Sequence, residues 1–318
     1  MLDHLHIQNY RLFKDLKIDK LGQVNLIAGK NNTGKTALLE ALRIWKSKGD
    51  YSVFSNILSM RNQYDDSDAL KSFSSLFNDF NYENLIQIYY PADFVNFKIE
   101  SIDNKYINEF FLQTEKGVHK VGSILGNSEF PRDELIYLHF LQKFYPYENL
   151  IDKLDVEKED EIIKILNIIE PKIRDFRPSL KDKQPLVRVQ GKKDRLPLKF
   201  FGDGANRIFI IALALVNAKN NILIIDEFEV GLHHSVQEQL WDIIFKYAKE
   251  WNIQVFVTTH SQDTVKAFAE VWNQSEENIK MGNYFRLQRS RENPELIEPI
   301  YYDNEMLEFA YQKHIETR

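Results

Sequence analysis

Eight consecutive residues, Gly29, Lys30, Asn31, Asn32, Thr33, Gly34, Lys35 and Thr36, follow the spacing G-x-x-x-x-G-K-S/T. These types in this order can grip a chain of phosphates. Glycines let backbone N–H groups turn inward with no Cβ in the way. A helix that opens at Lys35 would offer its unpaired N–H groups and positive dipole end to an anion, through Ala37 as well. Lys35 would reach the β- and γ-phosphates. The Thr36 hydroxyl suits Mg2+, which keeps most of its waters and takes few protein ligands.

Such a loop needs an acid elsewhere, at the end of another buried strand. "ILIIDE" (222–227) supplies Asp226, which would hold Mg2+ through water, and Glu227, placed to polarise an attacking water. A general base of this kind contributes roughly 10²–10⁴-fold. Parallel sheets gather ligand sites at the carboxyl ends of their strands. "IQVFVTTH" (253–260) is a further apolar run, and it ends at His260. Taken by itself, His260 reads as a capping or core histidine. The tandem His233-His234 suggests no metal site, because adjacent residues rarely ligate one ion together.

The elements that must position these groups follow from periodicity. "LDHLHIQ" and "DLKIDKLG" alternate as paired strands, and "QVNLIAG" is a third strand ending at the loop. Leu38, Leu39, Leu42 and Trp45 mark one face of a helix over about 35–48. Residues 85–125 read as strands. Residues 133–176 read as two helices with the acidic run "VEKEDE" between them, and "DALKSFSSLFNDF" as a helix. "VRVQ" and "LPLK" read as a hairpin turning at "GKKD". "FFGDGANRIFIIALALVNA" is a glycine loop opening a helix apolar on nearly every face, hence buried. Val236, Leu240, Ile243, Ile244 and Tyr247 form the stripe of an amphipathic helix. Strands apolar on both faces and separated by helices predict a mostly parallel sheet covered on both sides. The expected organisation is one core, 1–50 and 181–318, with an inserted helical/β lobe at about 51–180.

The composition narrows the function classes. The chain has 318 residues, no cysteine and a formal net charge of −6. That predicts neither disulfides nor thiolate metal sites, and it excludes a protein that coats nucleic acid over its whole surface. No apolar run approaches the roughly 18 residues of a membrane span. The N-terminus shows no signal-peptide pattern, so a cytoplasmic protein is expected. One stretch is basic: 172–199 holds ten Lys/Arg against three Asp/Glu. Two readings stay open for it, a solvated hairpin and a nucleic-acid contact. Arg11 in "NYRLF" reads as a surface or sheet-edge arginine, with a phosphate or DNA role as the alternative.

With "DEFEVGLHHSVQEQL" and "IQVFVTTHSQDTV" set beside "LHIQNYRLFKDLKIDKLGQVNLIAGKNNTGKTALLEAL", the chain resembles the ABC-type ATPase heads of the SMC, RecF and OLD proteins. It looks closest to compact OLD-like AAA-type ATPases of bacterial defence. The likeness covers roughly 1–48 and 195–270 well and the middle poorly. It implies an α/β P-loop NTPase with a mixed sheet flanked by helices, as in an ABC-ATPase head. It also implies ATP and Mg2+ as cofactors, and two heads sandwiching ATP. Carried onto this sequence, Asp226 and Glu227 become the metal-site acid and catalytic base, and His260 the switch histidine on the γ-phosphate. Gly231, Leu232 and His233 lie where a loop runs along the dimer seam. "FGDGANR" stands where the family has L-S-G-G-Q, and it departs from that pattern, with Gly202 at the serine position and Asp203 at a glycine position. Backbone N–H groups of Gly202 and Gly204 would still meet a γ-phosphate in trans, with Asp203 turned away and Arg207 supplying charge. Gln63 and Gln87 are candidates for the family's glutamine loop. No N-K-x-D motif points to a GTPase. OLD relatives carry a Toprim nuclease after the head. Here "YFRLQRSRENPELIEPIYYDNEMLEFAYQKHIETR" (284–318) reads as two strands and a helix with no room for such a domain, so a separately encoded effector such as a nuclease is expected. The alternative is a slowly hydrolysing nucleotide sensor that holds a partner protein.

Overall fold

A computed structural model describes residues 1–63, 69–90, 93–103, 106–114, 117–121, 135–139, 148–151, 154–177 and 185–312. In chain order the strands are β1 (Leu5–Tyr10), β2 (Phe13–Ile18), β3 (Val24–Ala28), β4 (Ile86–Tyr90), β5 (Asp93–Asp103), β6 (Tyr106–Thr114), β7 (Gly117–Val121), β8 (Ile136–His139), β9 (Ile173–Arg177), β10 (Leu186–Val189), β11 (Leu196–Pro197), β12 (Ile222–Asp226), β13 (Gln254–Thr259), β14 (Gly282–Arg289) and β15 (Ile297–Tyr302). The helices are α1 (Lys35–Lys46), α2 (Tyr51–Met60), α3 (Ala69–Ser74), α4 (Glu148–Ile151), α5 (Val156–Leu166), α6 (Asp203–Asn217), α7 (His234–Glu250), α8 (Gln262–Trp272), α9 (Glu276–Met281) and α10 (Asn304–Gln312). They build an antiparallel sheet in the order β2-β1-β4-β5-β6-β7, a small sheet β11-β10-β9, and a mixed sheet β15-β14-β3-β13-β12-β8.

The chain divides into two compact units. The first holds 1–22, 27–135 and 285–301, and the second 23–26, 136–284 and 302–318. Segment 51–180, expected as an inserted lobe, contributes β4–β7 to the sheet of β1 and β2 and β8 to the mixed sheet.

In the first unit, β1 and β2 pair as expected, with Ile7 opposite Leu16 on the buried face. α1 buries Leu38, Leu39, Leu42, Ile44 and Trp45, and Arg43 and Lys46 in its last turn suit the negative dipole end. Phe97 of β5 stacks on Phe54 of α2 at 4.6 Å. The predicted helix "DALKSFSSLFNDF" shortens to α3 and a 3-10 turn, Asn78–Phe80, in which Asp79 and Phe80 are both left-handed.

Arg11 is not a surface residue. Its side chain is 7% exposed and lies 3.3 Å from Glu40, itself 4% exposed. Arg61 donates to the other Glu40 oxygen at 2.7 Å, and the Tyr10 hydroxyl donates to Glu40 at 3.1 Å. Burial, reinforced by the Glu40 charge, pushes the Tyr10 phenol far above its ordinary range.

In the second unit, β12, β13 and the apolar face of α6 are close to fully buried. β12 runs parallel to β13 and to β8. Phe228, Trp241 and Phe268 interlock, with Phe228 and Trp241 stacked at 4.8 Å. The structure corrects the two-helix reading of 133–176. Residues 136–139 form strand β8 and residues 173–177 form β9. "ELIYLH" is a short dense apolar run, which periodicity cannot assign to helix or strand. The acidic run does not link two helices; it opens α5. Asp155 caps that helix by accepting from the Lys158 amide at 2.9 Å, and Glu157 and Glu159 sit at its positive end.

Glu40→Ala would leave two arginines around a buried site without their carboxylate. We expect a stability loss of about 3 kcal/mol, read as a lower denaturant midpoint at unchanged slope. Glu40→Gln should lose less, because it keeps oxygen and size.

Candidate nucleotide site

The buried strand β3 runs out at Ala28, and the loop that begins there belongs to the first unit. Two glycines in this loop have no substitute. A Cβ on Gly29 would lie 2.6 Å from Thr33 Oγ1 and 2.7 Å from the Leu287 carbonyl oxygen. One on Gly34 would lie 2.6 Å from the Phe13 ring, and both glycines have positive φ, +151° and +96°. The loop closes on itself: Thr33 Oγ1 donates to the Lys30 carbonyl at 2.9 Å. Lys35 Nζ donates to the carbonyls of Gly29 at 2.6 Å and Lys30 at 3.0 Å, which draws the ammonium across the loop. Lys30, Asn31 and Asn32 are exposed at the tip, with Asn32 left-handed. Thr36 and Ala37 lie in the first turn of α1, where helix geometry aims N–H groups back toward the loop.

The second unit holds the acids and the histidine. Asp226 ends β12 with no accessible surface. The Thr258 hydroxyl of β13 donates to its Oδ1, and Tyr137 of β8 lies 3.5 Å from its Oδ2. Glu227 adopts φ +55°, and its amide donates to Thr258 Oγ1 at 3.0 Å. A non-glycine residue held left-handed costs on the order of 1 kcal/mol and aims the side chain out of line with the strand. His260 follows β13 directly. Its backbone N–H and its Nδ1 both lie on Glu229 Oε1, at 2.8 and 2.7 Å, and Thr259 Oγ1 donates to Glu229 Oε2 at 2.8 Å.

Gly202 precedes α6 with φ +98°, and it is exposed with open space where a Cβ would be. Gly204 and Arg207 pack on the loop after Glu227: a Cβ on Gly204 would lie 3.1 Å from the Gly231 carbonyl, and one on Gly231 2.4 Å from Arg207 Nε. The Asp203 side chain, expected to turn away from phosphate, lies outside the described residues. Leu232 is buried, while His233 caps α7 by accepting from the Ser235 amide at 3.3 Å. Of the glutamine candidates, Gln63 accepts from Arg11 at 2.6 Å and Gln87 bonds Asn96 on the neighbouring strand at 3.3 Å.

The basic stretch forms the β9–β10–β11 sheet, with 178–184 outside the described residues. Lys172, Arg174, Arg177, Arg188, Lys192, Lys193 and Lys199 are exposed on it. Arg195 is tied to Asp175, and Arg174 to Gln190 at 2.6 Å.

Sequence reasoning missed Glu229, Thr258 and Tyr137. The first two had a signal: Thr258-Thr259 interrupts an otherwise apolar strand at its carboxyl end, and Glu229 is a third acid just beyond Asp226-Glu227.

Comparison with known proteins settles the family. The family described as "AAA domain, putative AbiEii toxin, Type IV TA system" matches residues 24–265. The chain belongs to this AAA-domain family. A Helicobacter pylori protein named ATP/GTP phosphatase is 25% identical over 98% of both chains. The DNA replication and repair protein RecF of Lactobacillus acidophilus is 54% identical over 41 residues, 13% of this chain and 11% of RecF. Among solved structures, an SMC head bound to the C-terminal winged-helix domain of ScpA superposes with a TM-score of 0.57 at 12% identity, covering 98% of this chain and 99% of that one. The fold of this AAA-family ATPase is therefore that of an SMC head.

Gly34→Ala should cost the loop both its backbone conformation and its clearance from Phe13. We expect at least a tenfold loss of nucleotide affinity by titration, with stability lowered by about 1–3 kcal/mol. Gly191→Ala, also at positive φ but with open space around it, should leave affinity unchanged.

Proposed function

We propose that this AAA-family ATPase binds ATP with Mg2+ on the loop Gly29–Thr36 and hydrolyses it, and that ATP brings two copies together head to tail. The observation that carries the reading is the loop itself, whose two glycines are required by both backbone angle and close neighbours, with Lys35 drawn across it. Thr36 and Asp226 are the hard oxygen donors that would hold Mg2+, which supplies charge neutralisation on the phosphates when bound. Lys35 would move from the loop carbonyls to the phosphate oxygens. Glu227 would accept a proton from the attacking water, and His260 would hydrogen-bond the γ-phosphate. In the second copy, Gly202 and Gly204 would present N–H groups at the start of α6, with Arg207 beside them. Among the described residues no helix is long and apolar enough to cross a membrane.

The finer role is an OLD-like one in DNA maintenance or anti-phage defence, with a separately encoded effector. The toxin–antitoxin wording of the family description fits that setting. A second reading, a slowly hydrolysing sensor that holds a partner protein, draws on the SMC head solved with ScpA on it. The exposed basic face of β9–β11 supports contact with nucleic-acid phosphates in an otherwise acidic chain.

Glu227→Gln should keep ATP affinity, slow turnover by about 10²-fold or more, and elute as a dimer with ATP and a monomer without it. Identical elution in both conditions contradicts head-to-tail closure. Lys35→Ala should abolish binding of a labelled ATP analogue. On duplex DNA, Lys192→Ala/Lys193→Ala should reduce the slope of log affinity against log salt by about 2 if both touch phosphate. An unchanged slope removes this face from the contact.

A further inference from the structure

We propose that Glu229 is the positioning residue for His260, holding its imidazole by Nδ1–H so that Nε2 is the nitrogen that would meet the phosphate. The inference rests on the reading of His260 as a γ-phosphate ligand and says how that ligand is held.

Glu229 is built in as an anchor. Its side chain is 11% exposed, against 47% for His260. One carboxylate oxygen takes both the His260 amide, at 2.8 Å, and the ring Nδ1, at 2.7 Å. The other takes the Thr259 hydroxyl at 2.8 Å. A carboxylate only accepts, so the nitrogen facing it must carry the proton. In the neutral ring the remaining nitrogen, Nε2, is then an acceptor and cannot donate to a phosphate oxygen; it does so in the doubly protonated ring, which the Glu229 carboxylate on Nδ1–H and a γ-phosphate on Nε2–H would stabilise together. Free histidine prefers the opposite tautomer, with the proton on Nε2. The amide bond fixes where the residue leaves β13, and the ring bond fixes its rotamer.

The anchor also sits on the right piece of chain. Glu229 is two residues beyond Glu227, and the turn between them is pinned to β13 by the Phe228 amide on the Thr258 carbonyl at 3.1 Å. One short loop thus carries the expected general base and the residue that orients the expected phosphate ligand. Ser261 is fixed too, its amide donating to Thr259 Oγ1 at 3.0 Å. His260 is therefore held from its own backbone, its ring and both flanking residues.

The test uses the full chain, labelled with 15N-histidine, and long-range 1H–15N correlation spectra of the imidazoles. His260→Asn identifies the His260 signals by their loss. Wild type should show the Nδ1–H pattern at His260, and Glu229→Ala the Nε2–H pattern. An Nε2–H pattern in wild type, or an unchanged pattern in a folded Glu229→Ala, overturns the proposal. The wild-type spectrum decides even if that variant does not fold. In steady-state ATPase assays, Glu229→Ala should lower kcat about tenfold or more with KM within about twofold. It should add nothing further on a His260→Ala background; additive losses would make Glu229 independent of His260 and overturn the coupling. If His260→Ala leaves kcat unchanged while the wild-type tautomer is Nδ1–H, the reading of His260 as a phosphate ligand fails and the positioning by Glu229 stands.

Discussion

A carboxylate with no accessible surface is costly unless its oxygens are met. Asp226 is such a group, and the second unit is arranged around it. The Thr258 hydroxyl donates to Asp226 and at the same time accepts the Glu227 amide. That one oxygen ties the end of β12 to the end of β13, and it holds the turn in which Glu227 departs from strand geometry. The ties depend on register. Parallel pairing sets Ile225 beside Val257, which leaves Asp226 and Thr258 to meet at the same edge. β8 ends there too, with His139 in register with Asp226. A slip of one residue would exchange every buried side chain for its neighbour. The apolar faces of β12 and β13 therefore secure the geometry of polar groups that lie beyond them.

In the first unit the same result comes from glycine. Gly34 accepts the Phe13 ring where any other residue would collide, so the turn between β1 and β2 presses directly on the phosphate loop. The helix that opens there is fixed one turn later by Glu40, held between Tyr10, Arg11 and Arg61. Lys35 and Thr36 thus belong to a helix that cannot slide or rotate without breaking a buried ion cluster. Removing one member of such a cluster costs more than the cluster contributes to stability, because its partners stay behind uncompensated.

The strand–loop–helix around Gly29–Thr36, the "ILIIDE" strand, the buried helix α6 and the hairpin β10–β11 were all legible because each carries a short-range signal. These signals are a fixed spacing, an all-apolar run with a polar end, or a turn between alternating segments. Three features were not legible. "ELIYLH" folds as a strand because it pairs with β12, more than 80 residues away, and nothing in its own periodicity says so. Arg11 is buried because Glu40, Gln63 and the Ser75 carbonyl meet it, none of them within 25 residues of it in the chain. Glu229 looked like one more acid on a polar turn. Its partners Thr259 and His260 lie 30 residues on, and only the pairing of β12 with β13 brings them together. In each case the missing term was long-range pairing.

The loop from Glu227 to Leu232 joins these constraints. At its start, the Glu227 and Phe228 amides are fastened to Thr258. In its middle, Glu229 holds His260. Near its end, Gly231 sits at φ +72° with Arg207 of α6 packed where a side chain would otherwise be. Leu232 then buries itself, and His233 caps α7. Six residues joined at this many points have little room for independent motion. The same few bonds that fasten Glu227 and His260 to the end of β13 thus sit on a loop whose far end packs against Arg207 of α6.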